Sequence, residues 1–311
     1  MTQFEAELGS LRPSRPMVLT IGVFDGVHLG HQALIAEMVR QAKQTGAVSG
    51  VITFAGHPRL VLGKHKELPH LTSLEQRVRL LEAKGADRVI VLTFTKELAD
   101  LPAAEFIGQL VKQLGMRHLV IGPDFALGKG REGDIDSLRA LGEKLGFTVT
   151  VAPPLVKNGY KVSSTRIRKA MAESKMANVH DLLGRYFSLE GEVVKGEGRG
   201  ARLGIPTANI EIPPDQALPA DGVYATIACI DDQPMASITN IGTRPTFGGG
   251  QRTVETHLLD YRGDLYGRRL EIAIIEQIRP EKKFAAAEEL LVQIKDDITM
   301  SRQVLKKTGC V

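Results

Sequence analysis

The chain has no tryptophan, only two cysteines, 5% aromatic residues and no unbroken apolar run of 18 residues. Each shortage closes off a class of function. Without a long apolar run, no segment reads as a membrane-crossing helix. Residues 1–16 carry two glutamates and no apolar core, so no signal peptide is expected. Cys229 and Cys310 lie far apart without CxxC spacing, which fits two reduced thiols rather than a disulfide framework or a zinc site. Scarce aromatics and the lack of a basic stripe argue against nucleic acid as a partner. Forty Lys and Arg against 36 Asp and Glu give a formal +4 that is scattered rather than banked. Small molecules are the expected partners, with no membrane and no nucleic acid. The cytoplasm is the expected compartment, and homo-oligomer formation is left open.

What remains is a globular composition, 43% apolar and 24% charged, in 311 residues, more than one core usually fills. Two domains are expected. In the first half, apolar runs at 17–24, 47–54, 87–94, 116–122 and 147–153 read as strands. Between them, helical spacing covers 31–46, 73–85, 102–115 and 135–146. Ser73, with Gln76 three positions on, reads as a helix cap. This alternation predicts an α/β domain with a parallel sheet covered on both faces. After about residue 184, apolar and polar residues alternate between turns rich in Gly, Pro and Asp, which predicts an antiparallel sheet or small barrel. A helix near 284–299 closes the chain. Residues 163–185 read as helix and linker, and the expected domains are 1–183 and 184–311.

The stretch GVFDGVHLGHQ (22–32) follows the first strand and precedes the first long helix. Its histidines, His28 and His31, admit three readings: a metal pair, a phosphate-binding corner, or plain turn residues. In open parallel sheets, ligands gather at the carboxyl ends of strands, and a helix N-terminus there can receive phosphate oxygens. The run is neither a GxGxxG fingerprint nor a Walker A loop. IGPDFALGKGREG (121–133) puts Asp124 among four glycines after another strand, as a lid or phosphate loop would. SSTRIR (163–168) sets Ser164 and Thr165 beside Arg166 and Arg168 where a helix is expected to start, and arginine can pair bidentately with phosphate.

In the second half, VVKGEGRGARLGIPTANI (193–210) carries Gly196, Gly198, Gly200 and Gly204 before PTAN. An extended chain points Thr207 and Asn209 to one face. A hydroxyl and an amide oxygen so placed suit magnesium, although on these residues alone a satisfied polar turn is the commoner reading. In TVETHLLDYRGDLYG (253–267), Glu255 is the carboxylate suited to act as general base; the other reading is a solvated acid on an outward strand face. His257, two residues on, is expected on the same side.

Taken in order, GVFDGVHLGH, ITFAGHPRLVL, the DF pair in IGPDFALG, SSTRIR, PTAN, NIGTRPTF, ETH and the closing RPEKKFAAAEELLVQIKDDI resemble bacterial bifunctional riboflavin kinase/FAD synthetases over roughly residues 17–300. The resemblance implies a Rossmann-like nucleotidylyltransferase domain followed by a six-stranded antiparallel riboflavin kinase barrel with a C-terminal helix. It implies phosphorylation of riboflavin to FMN by ATP in the second domain and transfer of AMP from ATP to FMN in the first, giving FAD and pyrophosphate, with Mg2+. His28, His31 and Arg166 would handle the ATP phosphates. Gly22, Phe24, Asp25, Gly30, Asp124, Phe125, Ser164, Thr165 and Arg168 would line the nucleotide and flavin site. In the kinase, Glu255 would activate the riboflavin 5′-hydroxyl. Thr207 and Asn209 would support the metal, while the glycine loop and Arg279 would shape the substrate pocket. The chain departs from the family pattern in both halves: Ala55 and Gly56 replace Glu-Pro, Ala126 replaces a larger residue, and Ala201-Arg202 keep an arginine in the glycine loop but shift its small residue. The departures in the first half keep open a mainly kinase protein with a weak or re-purposed first domain.

Overall fold

A computed structural model describes residues 3–9, 13–63, 68–196, 200, 204–244 and 251–309, without the side chains of Arg59, Arg244, Gln251 and Ala287. Its contacts divide the chain into two compact units, Met1–Ser164 and Thr165–Val311.

The first unit runs α1 (Gln3–Gly9), β1 (Met17–Ile21), α2 (Leu29–Thr45), β2 (Val48–Ala55), α3 (Pro58–Val61), α4 (Leu74–Ala83), β3 (Arg88–Thr93), α5 (Lys96–Ala99), α6 (Ala103–Leu114), β4 (Met116–Ile121), α7 (Ile135–Leu145), β5 (Thr148–Val151) and the hairpin β6 (Val156–Lys157) and β7 (Tyr160–Lys161). Five parallel strands form one sheet in the order β3-β2-β1-β4-β5. Every residue of β1 is buried, as expected for a central strand covered on both faces. One core packs Leu19, Ile52, Phe106, Leu110 and Leu119; on the other side Val18, Val51 and Val120 meet Ile35 and Met38 of α2. The strand order reverses at β1, so the ends of β1 and β4 flank a switch-point crevice.

Local signals explain the boundaries. Ser73 caps α4 by accepting from Gln76 N, as expected, and Asp134 does the same for α7 through Ser137 N. α2 begins at Leu29, two residues before the expected start, because His28 is its cap. The expectation for residues 1–16 missed α1, whose Phe4 and Leu8 are buried one helical turn apart.

The second unit begins with α8 (Ser164–Ala172), whose first residue belongs to the first unit, and α9 (Met176–Leu183). Six strands follow: β8 (Phe187–Val194), β9 (Ala208–Ile210), β10 (Gly222–Ile230), β11 (Gln233–Arg244), β12 (Gln251–Leu258) and β13 (Arg269–Pro280). They close a barrel in the order β10-β11-β12-β9-β8-β13 with antiparallel pairing throughout. Closure gives every strand two neighbours, with the short β9 bridging β8 and β12. α10 (Ala287–Thr308) is longer than the expected 284–299 because Val304 and Leu305 still bury against Ala225 and Ile275. Inside the barrel, Thr226 Oγ1 lies 2.7 Å from Ser237 Oγ and 2.8 Å from Thr239 Oγ1, which lies 2.9 Å from Thr256 Oγ1. These fully buried hydroxyls satisfy one another in a ladder that strand alternation alone did not reveal. Cys229 is free and half-buried, and Cys310 lies outside the described residues.

Candidate functional site

β1 delivers the chain into a strained corner. Phe24, Gly26 and Val27 all take positive φ, at 52°, 82° and 38°. For a β-branched residue this is an outlier that only surrounding structure can hold, and the Phe24 and Val27 side chains are both buried. Asp25 Oδ1 accepts from Leu71 N at 2.8 Å and Thr72 N at 3.3 Å, while Gly26 N donates to Thr72 Oγ1 at 3.1 Å. Ser164 Oγ donates to the Asp25 carbonyl at 2.9 Å. Asp25 therefore has a scaffolding part, with one carboxylate oxygen committed to the 71–72 loop.

The corner explains the three-residue spacing of the histidines. His28 is the N-cap of α2, and its Nδ1 accepts from His31 N at 3.2 Å. An accepting Nδ1 leaves the His28 proton on Nε2. The two rings stack with centroids 3.6 Å apart and planes at 13°, and Phe24 meets His31 edge-on at 5.2 Å. Gly30 leaves room for this: a Cβ there would lie 3.2 Å from His28 Cε1 and Nδ1. His31 is held well below the ordinary histidine range, first by burial and then by His28 and Arg77. Among the described residues, its Nδ1 is buried without a hydrogen-bond partner. A stacked imidazole pair thus sits at a helix N-terminus, where phosphate oxygens are favoured.

Beside the corner, at the C-terminal ends of the strands, lies a cavity of about 940 Å³ whose lining includes Gly22, Phe54, Phe94, Phe106, Asp124 and Phe125. The expected Asp124–Phe125 pair is therefore in its wall, with Ala126 next to it. Asp124 is exposed, ion-pairs with Lys161, and accepts at its carbonyl from Arg131 NH2 at 3.0 Å. Gly56 has φ 80°, which a proline, locked near −65°, cannot adopt, so the backbone after β2 differs from that of a Glu-Pro chain. On α8, Thr165 is exposed and Arg166 and Arg168 are half-buried; all three lie in the second compact unit.

The barrel carries a second site. Across β9, β12 and β11, Asn209, Glu255 and Asn240 are direct cross-strand neighbours. Val254, Thr256 and Leu258 are buried, whereas Thr253, Glu255 and His257 line a cavity of about 630 Å³, matching the expected alternation. Thr207 lines it too, and His257 Nδ1 lies 2.7 Å from the Pro206 carbonyl, which ties β12 to PTAN. A Cβ at Gly196 would fall 2.1 Å from Asn209 Nδ2, and one at Gly200 would fall 3.2 Å from Thr207 Oγ1. Both glycines are needed for the chain to close over these oxygen donors. Gly204 is exposed with φ 76°, and Gly198 lies outside the described residues, as do residues 201–203 and residues 245–247 at the end of the NIGTRPTF stretch.

Arg279 lines the same cavity and is pinned to α10: its Nε donates to both carboxylate oxygens of Asp297 at 3.0 Å, and its NH2 lies 2.9 Å from Asp297 Oδ2. Gln293 Nε2 also donates to Asp297 Oδ1 at 3.0 Å. Sequence reasoning missed Asn240 and Asp297. Asn240 becomes visible only once β11 is set in register against Glu255; Asp297 could have been found as a lone acid on the inward face of the last helix.

Family models describing FAD synthetase and riboflavin kinase match residues 11–166 and 183–305 respectively. The chain is 40% identical over 298 residues to the bifunctional riboflavin kinase/FMN adenylyltransferase of Pseudomonas fluorescens, covering 95% of each chain. It is 38% identical over 296 residues to the protein of that description from Escherichia coli K12, covering 94% of each. A solved structure titled macrolide-efflux protein, from Streptococcus pneumoniae, superposes with a TM-score of 0.88 at 29% identity, covering 97% of each chain. No helix among the described residues is long and apolar enough to cross a membrane.

Proposed function

The chain belongs to the family of bifunctional riboflavin kinase/FMN adenylyltransferases, and from that premise we propose which of its residues perform each reaction. It makes FMN from riboflavin and ATP in its C-terminal half and FAD from FMN and ATP in its N-terminal half. We keep the functional boundary near residue 183, where the riboflavin kinase match begins, although the compact units divide after Ser164. Both reactions consume ATP, and we assign the enzyme to the cytoplasm.

In the barrel, Glu255 takes the proton of the riboflavin 5′-hydroxyl as that oxygen attacks the γ-phosphorus and the bond to the β-phosphate breaks, releasing ADP. Asn209 and Asn240, its cross-strand neighbours, fix where the carboxylate stands. Thr207 and Asn209 offer hard oxygen donors under a glycine cover that a Cβ would fill, which fits a magnesium ion held jointly with phosphate oxygens. No group of three His, Cys, Asp or Glu could hold an ion among the described residues. When bound, magnesium supplies charge neutralisation at the phosphates. Arg279, locked to Asp297, braces the flavin side of the cavity.

In the first half, a phosphate oxygen of FMN attacks the α-phosphorus of ATP, and the bond to the β-phosphate breaks to release pyrophosphate. No protein nucleophile is required; alignment and charge stabilisation carry the rate. His28 Nε2–H donates toward phosphate oxygen from the helix N-terminus, and the family resemblance of SSTRIR makes Ser164, Thr165, Arg166 and Arg168 the candidates for binding phosphate. The 940 Å³ cavity beside Phe125 receives the flavin. The observation that carries this reading is the imidazole stack capping α2 at the switch point. Product analysis with ATP and magnesium, started separately from riboflavin and from FMN, tests it. FAD from FMN alone is expected; FMN formation without any FAD would favour the mainly kinase reading.

A further inference from the structure

Arg77 of α4 is among the largest fully buried side chains of the protein, at 2% exposure. Its NH1 donates to the Val23 carbonyl at 2.6 Å and to Thr53 Oγ1 at 3.4 Å, and Thr53 Oγ1 itself donates to the Val23 carbonyl at 3.1 Å. Its Nε has no hydrogen-bond partner, and it makes no ion pair among the described residues. Burying a guanidinium without a carboxylate against it costs the fold several kcal/mol, and an apolar side chain of similar volume would normally serve packing better. A charge kept at such cost calls for a role other than packing.

The surroundings indicate the role. Val23, which Arg77 holds, enters the strained turn that sets His28 and His31. The charged or titratable groups acting on this corner are Asp25 in the turn, whose charge favours the arginine's ionised form, and the two histidines of α2. β2 contributes only the neutral Thr53, and the 71–72 loop the neutral Thr72. The Leu71 and Thr72 N–H groups hold Asp25 Oδ1 in place without cancelling its charge, so the guanidinium acts on the corner as a cation partly offset by Asp25 and still disfavours a proton on His31.

We propose that Arg77 is a positioning residue for adenylyl transfer: it pins the turn through Val23 and supplies a buried positive charge behind the imidazole pair. This rests on the assignment of the His28–His31 corner to adenylyl transfer. The fixed charge adds to the field that receives the triphosphate and opposes protonation of His31, preserving the neutral stack on which the His28 cap depends.

The test uses the full chain with Arg77→Met, Arg77→Lys and His31→Ala, measuring FMN-to-FAD and riboflavin-to-FMN turnover and titrating the imidazoles by NMR. Arg77→Met is expected to lower kcat/KM for FAD formation by roughly 10- to 100-fold, to leave the kinase unchanged and to move the His31 titration to higher pH. Arg77→Lys keeps the charge, so the His31 titration should stay at its original pH and most of the rate should return. Equal impairment in the Lys and Met variants with an unmoved titration would overturn the proposal, as would full activity in Arg77→Met. If Arg77→Met fails to fold, the Lys variant decides alone: an altered His31 titration or a rate as low as that of His31→Ala overturns it. Unimpaired FAD formation in His31→Ala would instead show that the corner itself was wrongly assigned.

Discussion

Replacing Gly30 with alanine should separate stability from catalysis. Gly30 lies in the first turn of α2, where its φ is not in the left-handed region, so alanine fits the backbone and gains up to about 1 kcal/mol of helix propensity. The new Cβ would stand 3.2 Å from His28 Cε1 and Nδ1, tighter than ordinary contact, so the ring must retreat by a few tenths of an ångström. That movement stretches the 3.2 Å cap bond to His31 N, and losing a cap costs about 1 kcal/mol. The two terms offset, and Tm should change by no more than a few degrees. Catalysis has no such offset. With roughly 100-fold lost per ångström of misplacement, FAD formation should fall about 3- to 10-fold. Calorimetry, with coupled assays for FMN and for FAD, reads all three quantities. A variant with unchanged FAD turnover, or with equal losses in both reactions, would show that the ring's position at the α2 cap does not govern adenylyl transfer.

Other outcomes follow from the same geometry. Gly196→Ala has no room beside Asn209 Nδ2, 2.1 Å away, so the amide must swing out. Magnesium titrations should then show a higher metal requirement for the kinase, with FAD formation unaltered. Asp297→Ala leaves Arg279 half-buried without its carboxylate, costing about 1 to 3 kcal/mol in the thermal unfolding of the barrel and raising KM for riboflavin. For acid sensitivity, His31 stays neutral in the folded chain below the ordinary histidine value of 6.5, where the unfolded chain takes up a proton. Stability should therefore decline as pH falls below about 6.5, and His31→Gln should flatten that decline in pH-dependent melts.

Much of this was legible in the sequence because periodicity and turn chemistry are local. Ser73 and Gln76 announced the start of α4, and the alternation through residues 253–258 announced which side of β12 would carry Glu255. Nothing local showed that β11 sets Asn240 beside Glu255, since register is decided by how the barrel closes. Arg77 was equally hidden: as one charge in an amphipathic helix it reads as solvent-facing, and only the fold turns it under the 22–28 corner. Asp25 shows the converse: the resemblance assigns it to the substrate site, and its carboxylate holds the 71–72 loop. The histidine spacing was visible from the start, but its cause was not, because a cap is recognised only when the backbone N–H it accepts from is known.

The most direct measurement crosses two variants with two substrates. The claim is that each half holds its own triphosphate site, one around His28 and His31 and the other around Thr207, Asn209 and Glu255. His31→Ala should lose FAD formation from supplied FMN while still making FMN from riboflavin, and Glu255→Gln should do the reverse. Loss of both activities in either variant, with the fold intact, would contradict it.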